Sequence, residues 1–273
     1  MILVVFKAII PAAGYGTRNL PITKAIPKEM FPINSRPVID YIVQEAIHAG
    51  IKEILIILSR NKTAIMDYFD RSIELEWFLN THQKSNMLKG IVPPKVSFQY
   101  VRQPQALGLG QAVQLGQTFA GDDPFVVLLP DQLCLKQPPP LCKMIKLYEQ
   151  FKHPVIGLQT VERELLQNYG VISGKQIQAG VYRLDSIVEK PQINPPSHLA
   201  VMGRYILTSK IFAALNQLKA ENGGELQLTD ALNVLIQQDE AYGYVFKEKW
   251  YDTSIESEYI NAQRCAYKMN KQT

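Results

Sequence analysis

Residues 8 to 33, AIIPAAGYGTRNLPITKAIPKEMFPI, constrain this chain most, because they pass from a buried strand through a glycine turn to spaced cations. The apolar run Leu3 to Ile10, broken only by Lys7, is long and β-branched enough for a central strand and is expected to stop at Pro11. Gly14 and Gly16 lack Cβ atoms, so the backbone can bend tightly there and bring N–H groups close to a triphosphate. Arg18, Lys24 and Lys28 supply positive charge. Neither the Gly-Lys-Ser/Thr triplet of a P-loop nor the third glycine of the dinucleotide fingerprint is present. Pro21 and Pro27 instead exclude a regular helix and predict a fixed, extended loop folded over a ligand.

Beyond this loop, Val38, Tyr41, Ile42, Glu45, Ala46 and Ala49 recur at helical spacing, and Gly50 sits where a C-terminal cap belongs. Strands are predicted over Glu53 to Leu58 and Lys95 to Val101, with helical pieces between 61 and 90. Tyr68, Phe69, Trp77 and Phe78 in those pieces read as core or subunit contacts. The order β, loop, α, β with short connections predicts right-handed crossovers and a parallel sheet. Phe125 to Leu129 has the continuous apolar pattern of a strand covered on both faces. From 154 to 207 the composition shifts to short strands and turns, with strands predicted at 154–160, 169–172, 177–188 and 199–207, and 255–269 reads as an amphipathic helix. Pro138 to Pro140 and Asn194 to Pro196 mark turns inside one domain.

Bulk properties bound the function. With 273 residues and 47% hydrophobic content, the chain has core enough for one large α/β domain or two small ones. The 29 Lys and Arg against 25 Asp and Glu leave a net charge of +4, too small and scattered for a nucleic-acid groove but suited to anionic small molecules. Cys134, Cys142 and Cys265 are odd in number and lack metal-ligand spacing, so they read as reduced packing residues of a cytoplasmic protein. The N-terminal run is too short to span a membrane and has no small-residue cleavage site.

The segment P-A-A-G-x-G-T-R-x-L-P-x-T-K-x-x-P-K-E-M resembles the nucleotidyltransferases that activate sugar 1-phosphates, and the bacterial UTP–glucose-1-phosphate uridylyltransferases in particular. The resemblance continues in order and spacing along nearly the whole chain. It implies a Rossmann-like nucleotidyltransferase fold: a central, mostly parallel sheet flanked by helices, with a smaller sugar-binding β region, in a single domain over 1–273. Its nucleotide-binding half would run to about 135 and its sugar-phosphate half over 136–273. Arg18 and Lys28 would contact the triphosphate, and Ala12, Ala13, Gly14 and Gly16 would line the nucleotide. Where the family carries a bulky residue after that arginine, this chain has Asn19.

The stretch Arg102-Gln103-Pro-Gln-Ala-Leu-Gly108-Leu-Gly-Gln111 begins where the third strand ends, the edge at which ligands sit in an open parallel sheet. By resemblance, Gln103 and Gly108 read the pyrimidine; an amide both donates and accepts, as an imide edge requires. Pro130-Asp131-Gln132 stands where the family usually shows Gly-Asp-Asp, so Asp131 is implied as a Mg²⁺ ligand, and Tyr251-Asp252 matches the pair whose aspartate completes the site. Magnesium needs only one or two carboxylates beside phosphate oxygens. Tyr169-Gly170-Val171, Val188-Glu189-Lys190-Pro191 and Gly203-Arg204-Tyr205 also match, which implies that Gly170 and Glu189 face glucose and that Lys190 holds its phosphate. Asn222-Gly-Gly-Glu225 resembles a loop leading into a helix over the sugar.

These implications converge on transfer of a uridylyl group from UTP to glucose 1-phosphate, with Mg²⁺, by a homo-oligomer that binds neither nucleic acid nor membrane. Two alternatives stay open. Pro130 and Gln132 would suit a non-catalytic regulatory paralogue, against which stand Arg18, Lys28, Asp131, Lys190 and Asp252. Gln111, where uridylyltransferases usually show histidine, would suit a pyrophosphorylase using dTTP or another hexose 1-phosphate.

Overall fold

The parallel strands expected from the apolar runs are present in the computed structural model, which describes residues 5–218 and 224–271. They are β1 (Lys7–Ala12), β2 (Glu53–Leu58), β3 (Ser97–Arg102) and β4 (Phe125–Leu128). The start of the expected first run, Leu3 and Val4, lies outside the described residues. Strand β1 does not stop at Pro11 but continues to Ala12. Its pairing with β4 ends at Ile9, so Pro11 has a strand partner only in β2, where it faces Ile57. A residue without an N–H is tolerated at such a one-sided position.

Helix α1 (Val38–His48) ends before Gly50, whose φ of 93° is the left-handed conformation expected of a cap. The 61–90 stretch forms α2 (Thr63–Phe69), α3 (Ile73–Thr81) and a closing 3₁₀ turn. Phe69 is core and stacks on Phe98 at 4.7 Å, whereas Trp77 is 65% exposed. Next come α4 (Leu109–Gln114), the short β5 (Gln132–Cys134) and α5 (Leu141–Phe151). The second half adds β6 (Val155–Thr160), β7 (Gly170–Gln178), β8 (Val181–Glu189), β9 (Leu199–Leu207), α6 (Lys210–Gln217), α7 (Leu228–Gln238), β10 (Tyr242–Val245), β11 (Trp250–Asp252) and α8 (Glu256–Asn270). The strand expected at 177–188 is instead split by a hairpin turn, with Gly180 supplying a φ of 74°.

The strands form one nine-stranded sheet in the order β3-β2-β1-β4-β9-β6-β10-β8-β7. It is parallel through β3-β2-β1-β4 and at β6-β10, and antiparallel at β9 with both neighbours and across the β8 pairs. "Mostly parallel" thus holds for the first half alone; strands joined by a tight turn, as β7 and β8 are, have to run antiparallel. The strands of the second half continue the same sheet, with β9 inserted beside β4.

Consecutive residues of β1 and β2 feed opposite faces. Ile10, Ile54 and Ile56 pack with Ile39, Ile42 and Val43 of α1, while Ile9, Leu55 and Ile57 share a second core with Phe212, Leu215 and Leu232 of α6 and α7. Coverage on both sides explains why these strands read as unbroken apolar runs. Between the sheet and α1, the fully buried Arg204 of β9 forks onto Glu45, with Nε to Oε1 at 3.1 Å and Nη2 to Oε2 at 2.8 Å. Among the described residues no helix is long and apolar enough to cross a membrane.

Candidate functional site

Strands β1, β3 and β4 deliver their C-terminal ends to one edge of the sheet, and the site is built there. After β1 the chain makes three 3₁₀ turns, Thr17–Asn19, Ile22–Lys24 and Lys28–Met30, with no regular helix. Gly16 needs its glycine: φ is 69°, and a Cβ would lie 2.9 Å from Thr23 Cγ2, while the Thr23 hydroxyl donates to the Gly16 carbonyl at 2.8 Å. The far end of the loop is stapled by Glu29, buried and accepting from Lys62 Nζ at 2.8 Å on each oxygen. A buried carboxylate requires such a partner. Lys24 is exposed and lines neither cavity of the site.

Asp131 and Asp252, distant in sequence, are brought side by side by the antiparallel ribbon β5–β11, which sets Gln132 opposite Asp252. The ribbon is locked where it meets the site, the Thr253 N–H donating to the Asp131 carbonyl at 2.8 Å. Lys28 Nζ donates to Asp131 Oδ2 at 2.6 Å. Burial works to raise the Asp131 carboxyl, but the charge and hydrogen bond of Lys28 outweigh it and hold the group below the ordinary aspartate range. Lys28 itself is raised, because Asp131, Glu29 and Asp252 together overcome its burial. Asp252 goes the other way: burial and then the charge of Asp131 push it up, against hydrogen bonds from Ser254 and Gln132. Its Oδ1 accepts the Ser254 N–H at 2.9 Å and hydroxyl at 2.6 Å, and its Oδ2 the Tyr169 hydroxyl at 3.4 Å. Arg18 Nη1 donates to the same Ser254 hydroxyl at 2.9 Å, so the loop arginine reaches Asp252 through one serine.

Two cavities meet at these groups. The smaller, about 250 Å³, is lined by Ala13, Gly14, Lys28, Gln103, Gly108 and Asp131 among others. Gln103 is buried at the end of β3, and its Nε2 donates to the Gly108 carbonyl at 3.2 Å and to Gln111 Oε1. Gly108 has a φ of 95°, and a Cβ on it would come within 2.6 Å of the Leu226 carbonyl. That strap is tied to the loop by Leu226 N–H to Leu107 O at 2.8 Å and Gly110 N–H to Leu226 O at 2.7 Å. It belongs to the Glu225 segment singled out in the sequence, of which Asn222 and Gly223 lie outside the described residues. Ala12 lines neither cavity, its side chain being buried in the core, and Gly16 lines the larger one.

The larger cavity, about 440 Å³, is lined by Arg18, Lys28, Asp131, Gly170, Glu189, Lys190 and Asp252 among others. Lys190 leaves β8 with a φ of 45°, its N–H held by the Tyr169 carbonyl at 3.0 Å, and its Nζ lies 3.2 Å from Glu189 Oε1. Glu189 Oε2 accepts from Thr229 Oγ1 at 2.6 Å. The structure therefore gathers Arg18, Lys28, Asp131, Gly170, Glu189, Lys190 and Asp252 around one space, with Gln103, Gly108, Ala13 and Gly14 around the adjoining one.

Several residues here escaped sequence reasoning. Thr229, Ser254 and Lys62 are single polar residues with no spacing that marks them, and their roles depend on partners remote in the chain. Arg204 reads in the sequence as part of a site motif but is a buried structural cation.

The donor set around Asp131 and Asp252 is hard oxygen, which fits a magnesium-like cation completing its shell from phosphate and water. A cation would also relieve the like-charge contact that raises Asp252. Among the described residues no group of three or more His, Cys, Asp or Glu is placed to hold a metal without such help.

The sequence matches the Nucleotidyl transferase family over residues 7–268. It is 43% identical over 266 residues to a UTP–glucose-1-phosphate uridylyltransferase of Pseudomonas aeruginosa (strain PAO1), covering 96% of this chain and 95% of that one. The fold superimposes on a UDP-glucose pyrophosphorylase complexed with UDP-glucose with a TM-score of 0.87 at 42% identity, covering 97% of this chain and 100% of the other. The apo form of a UDP-glucose pyrophosphorylase gives a TM-score of 0.91 at 43% identity, with 98% and 100% covered.

Proposed function

The chain belongs to the nucleotidyl transferase family, and from that premise we propose that it transfers a uridylyl group from UTP to glucose 1-phosphate, giving UDP-glucose and pyrophosphate. The observation that carries this reading is the meeting of the two cavities at Lys28 and Asp131, with an amide-and-glycine wall on one side and a carboxylate–ammonium pair on the other. Gln103 and Gly108 offer hydrogen-bonding groups for the base, and Glu189 with Gly170 those for sugar hydroxyls. Lys190 holds the sugar phosphate as a point charge.

A phosphate monoester is already anionic at neutral pH, so its oxygen can attack the α-phosphorus without a general base. What the protein must do is place two polyanions in line and offset their repulsion. Arg18 and Lys28 grip the leaving pyrophosphate. Family members generally use a divalent metal; we take it to be Mg²⁺, held by Asp131 and Asp252, where it supplies charge neutralisation at the transferring phosphoryl group. Ser254 and Tyr169 orient Asp252. We place the reaction in the cytoplasm, where the three free cysteines would stay reduced. The exposed Trp77 and Phe78 of α3 support a homo-oligomer.

Pyrophosphate release measured across UTP, dTTP, ATP and a set of sugar 1-phosphates tests the reading. UTP with glucose 1-phosphate should give the highest kcat/KM. A wild type inert with every pair would leave the regulatory paralogue, and a preference for dTTP would move the base assignment. In the same assay Lys190→Ala should raise KM for glucose 1-phosphate roughly ten- to hundredfold, the worth of a charge-assisted contact of ~1.5–3 kcal/mol, with KM for UTP little changed.

A further inference from the structure

We infer that Gln132 is a positioning residue for Asp252, through a side-chain amide whose orientation is set by the indole of Trp250. The inference rests on Asp252 being a ligand of the divalent metal. In the β5–β11 ribbon, Gln132 lies directly opposite Asp252, and Trp250, on the same face of β11, is its diagonal neighbour. All three side chains are buried. Trp250 Nε1 lies 2.9 Å from Gln132 Oε1. An indole N–H can only donate, so it selects the amide oxygen as its partner and turns the NH₂ group the other way. There that group faces the Asp252 carboxylate, its directly opposed cross-strand neighbour, in the wall of the larger cavity, and works against the upward shift of that acid.

The rest of the glutamine is fixed as firmly. Its carbonyl accepts from Arg204 Nη2 at 2.7 Å, the Arg204 guanidinium lies 4.8 Å over the Trp250 ring, and Gln132 Cγ packs so closely on Gly203 that a Cβ there would come within 2.9 Å. A carboxylate at this position could accept the same indole bond, but it would face Asp252 with a like charge and no donor. The amide that stands in place of a second acid therefore turns a donor, rather than a like charge, toward the acid that remains. Groups that orient a metal-binding carboxylate in this way typically affect metal affinity or activity by 10–100-fold.

The test uses Mn²⁺ as probe, titrated into wild type, Gln132→Met, Gln132→Glu and Trp250→Phe and followed by electron paramagnetic resonance, alongside the Mg²⁺ half-saturation of pyrophosphate release and thermal melting. Gln132→Met, which removes donor and acceptor at similar size, should weaken Mn²⁺ binding about tenfold and raise the Mg²⁺ half-saturation by a similar factor, more than it lowers kcat. Trp250→Phe keeps the ring on Arg204 but frees the amide to turn, and should shift both readouts in the same direction by less. Wild-type Mn²⁺ affinity in Gln132→Met and Trp250→Phe overturns the inference, as does a loss of melting temperature and kcat with metal affinity unmoved. If Gln132→Met does not fold, Trp250→Phe decides. Gln132→Glu separates the two halves of the argument: a variant indistinguishable from wild type would mean that the glutamine serves only to receive the indole N–H, which also overturns it. Failure of the wild type to release pyrophosphate would sink the proposed reaction, while the Mn²⁺ titration would still judge Gln132.

Discussion

Removing the charge of Glu45 should be among the most destabilising single changes outside the site, and it should reach the site as well. Arg204 is fully buried, and besides its fork on Glu45 it donates from Nη2 to the Gln132 carbonyl at 2.7 Å and from Nη1 to the Leu129 carbonyl at 3.1 Å. Those two carbonyls flank Pro130-Asp131, so one guanidinium holds both ends of the turn that presents the acid. Glu45→Gln keeps the shape, but it turns one of the two accepting oxygens into a donor facing the guanidinium and strands a buried cation, which costs about 3–5 kcal/mol. For a chain of this size each kcal/mol shifts the melting temperature by roughly 2–4 °C, so a fall of roughly 6–20 °C is expected. Arg204→Met should cost as much, since it strands the carboxylate and two carbonyls. The double variant Glu45→Leu/Arg204→Met should recover much of the loss, because replacing both ions by apolar groups is often near neutral. Its pyrophosphate release should nevertheless stay depressed, the turn at Asp131 having lost its anchor. Denaturant unfolding and the pyrophosphate assay check both halves. A loss below about 1 kcal/mol for Glu45→Gln, or a double variant no better than the singles, would refute the account of this pair as a buried charge couple.

Two further perturbations probe the site directly. Burial and the charge of Asp131 raise Asp252 above its ordinary value of 3.8, so the fold binds its proton more readily than the unfolded chain does, and that group favours the fold increasingly as pH falls through the window between the two values. Asp252→Asn should therefore raise the melting temperature of the metal-free protein at neutral pH, with the gap to wild type closing as the solution is acidified, while pyrophosphate release collapses; a lower melting temperature at neutral pH would contradict this. Gly108→Ala must place a Cβ at a φ of 95° within 2.6 Å of the Leu226 carbonyl, so it should cost about 1–3 kcal/mol and raise KM for UTP by displacing the strap, as calorimetry with UTP would show; unchanged UTP affinity would detach Gly108 from the nucleotide cavity.

The parts of the fold that were legible are those whose signal is local. The runs at β1, β2 and β4 are apolar because both faces are covered, and the glycine turn declares itself through Gly16, where the close approach of Thr23 leaves no room for a Cβ. The hairpin turn at Gly180 was hidden within a stretch of strand-like composition marked by a single glycine. What could not be read is what remote partners decide. Nothing in β9 announces that it inserts beside β4, and that insertion alone brings Arg204 to Glu45, 159 positions away in sequence. Asp131 and Asp252 were paired only by resemblance. No periodicity joins them, because the ribbon that does so is short and its two strands come from the middle and the C-terminal part of the chain.

That assembly also accounts for how so many charges are kept close to one another. Lys28 is held by Asp131, and Arg18 is tied through Ser254 to Asp252, so each cation proposed to grip the triphosphate rests against an acid proposed to hold the metal. Neither sign is left bare in a partly buried space, where an unpaired charge would be costly. In the proposed reaction, a triphosphate arriving with its divalent cation would bring one partner for the acids and another for the cations. The site would then exchange partners without having to create or strip charge, and the anion and the metal would reinforce each other's binding because each would release the group the other needs. The two carboxylates, unequal in environment, contribute differently to this exchange. Asp131, held ionised by Lys28, is the standing negative charge, and Asp252, pushed up by burial and then by its neighbour, would gain most when a cation arrives.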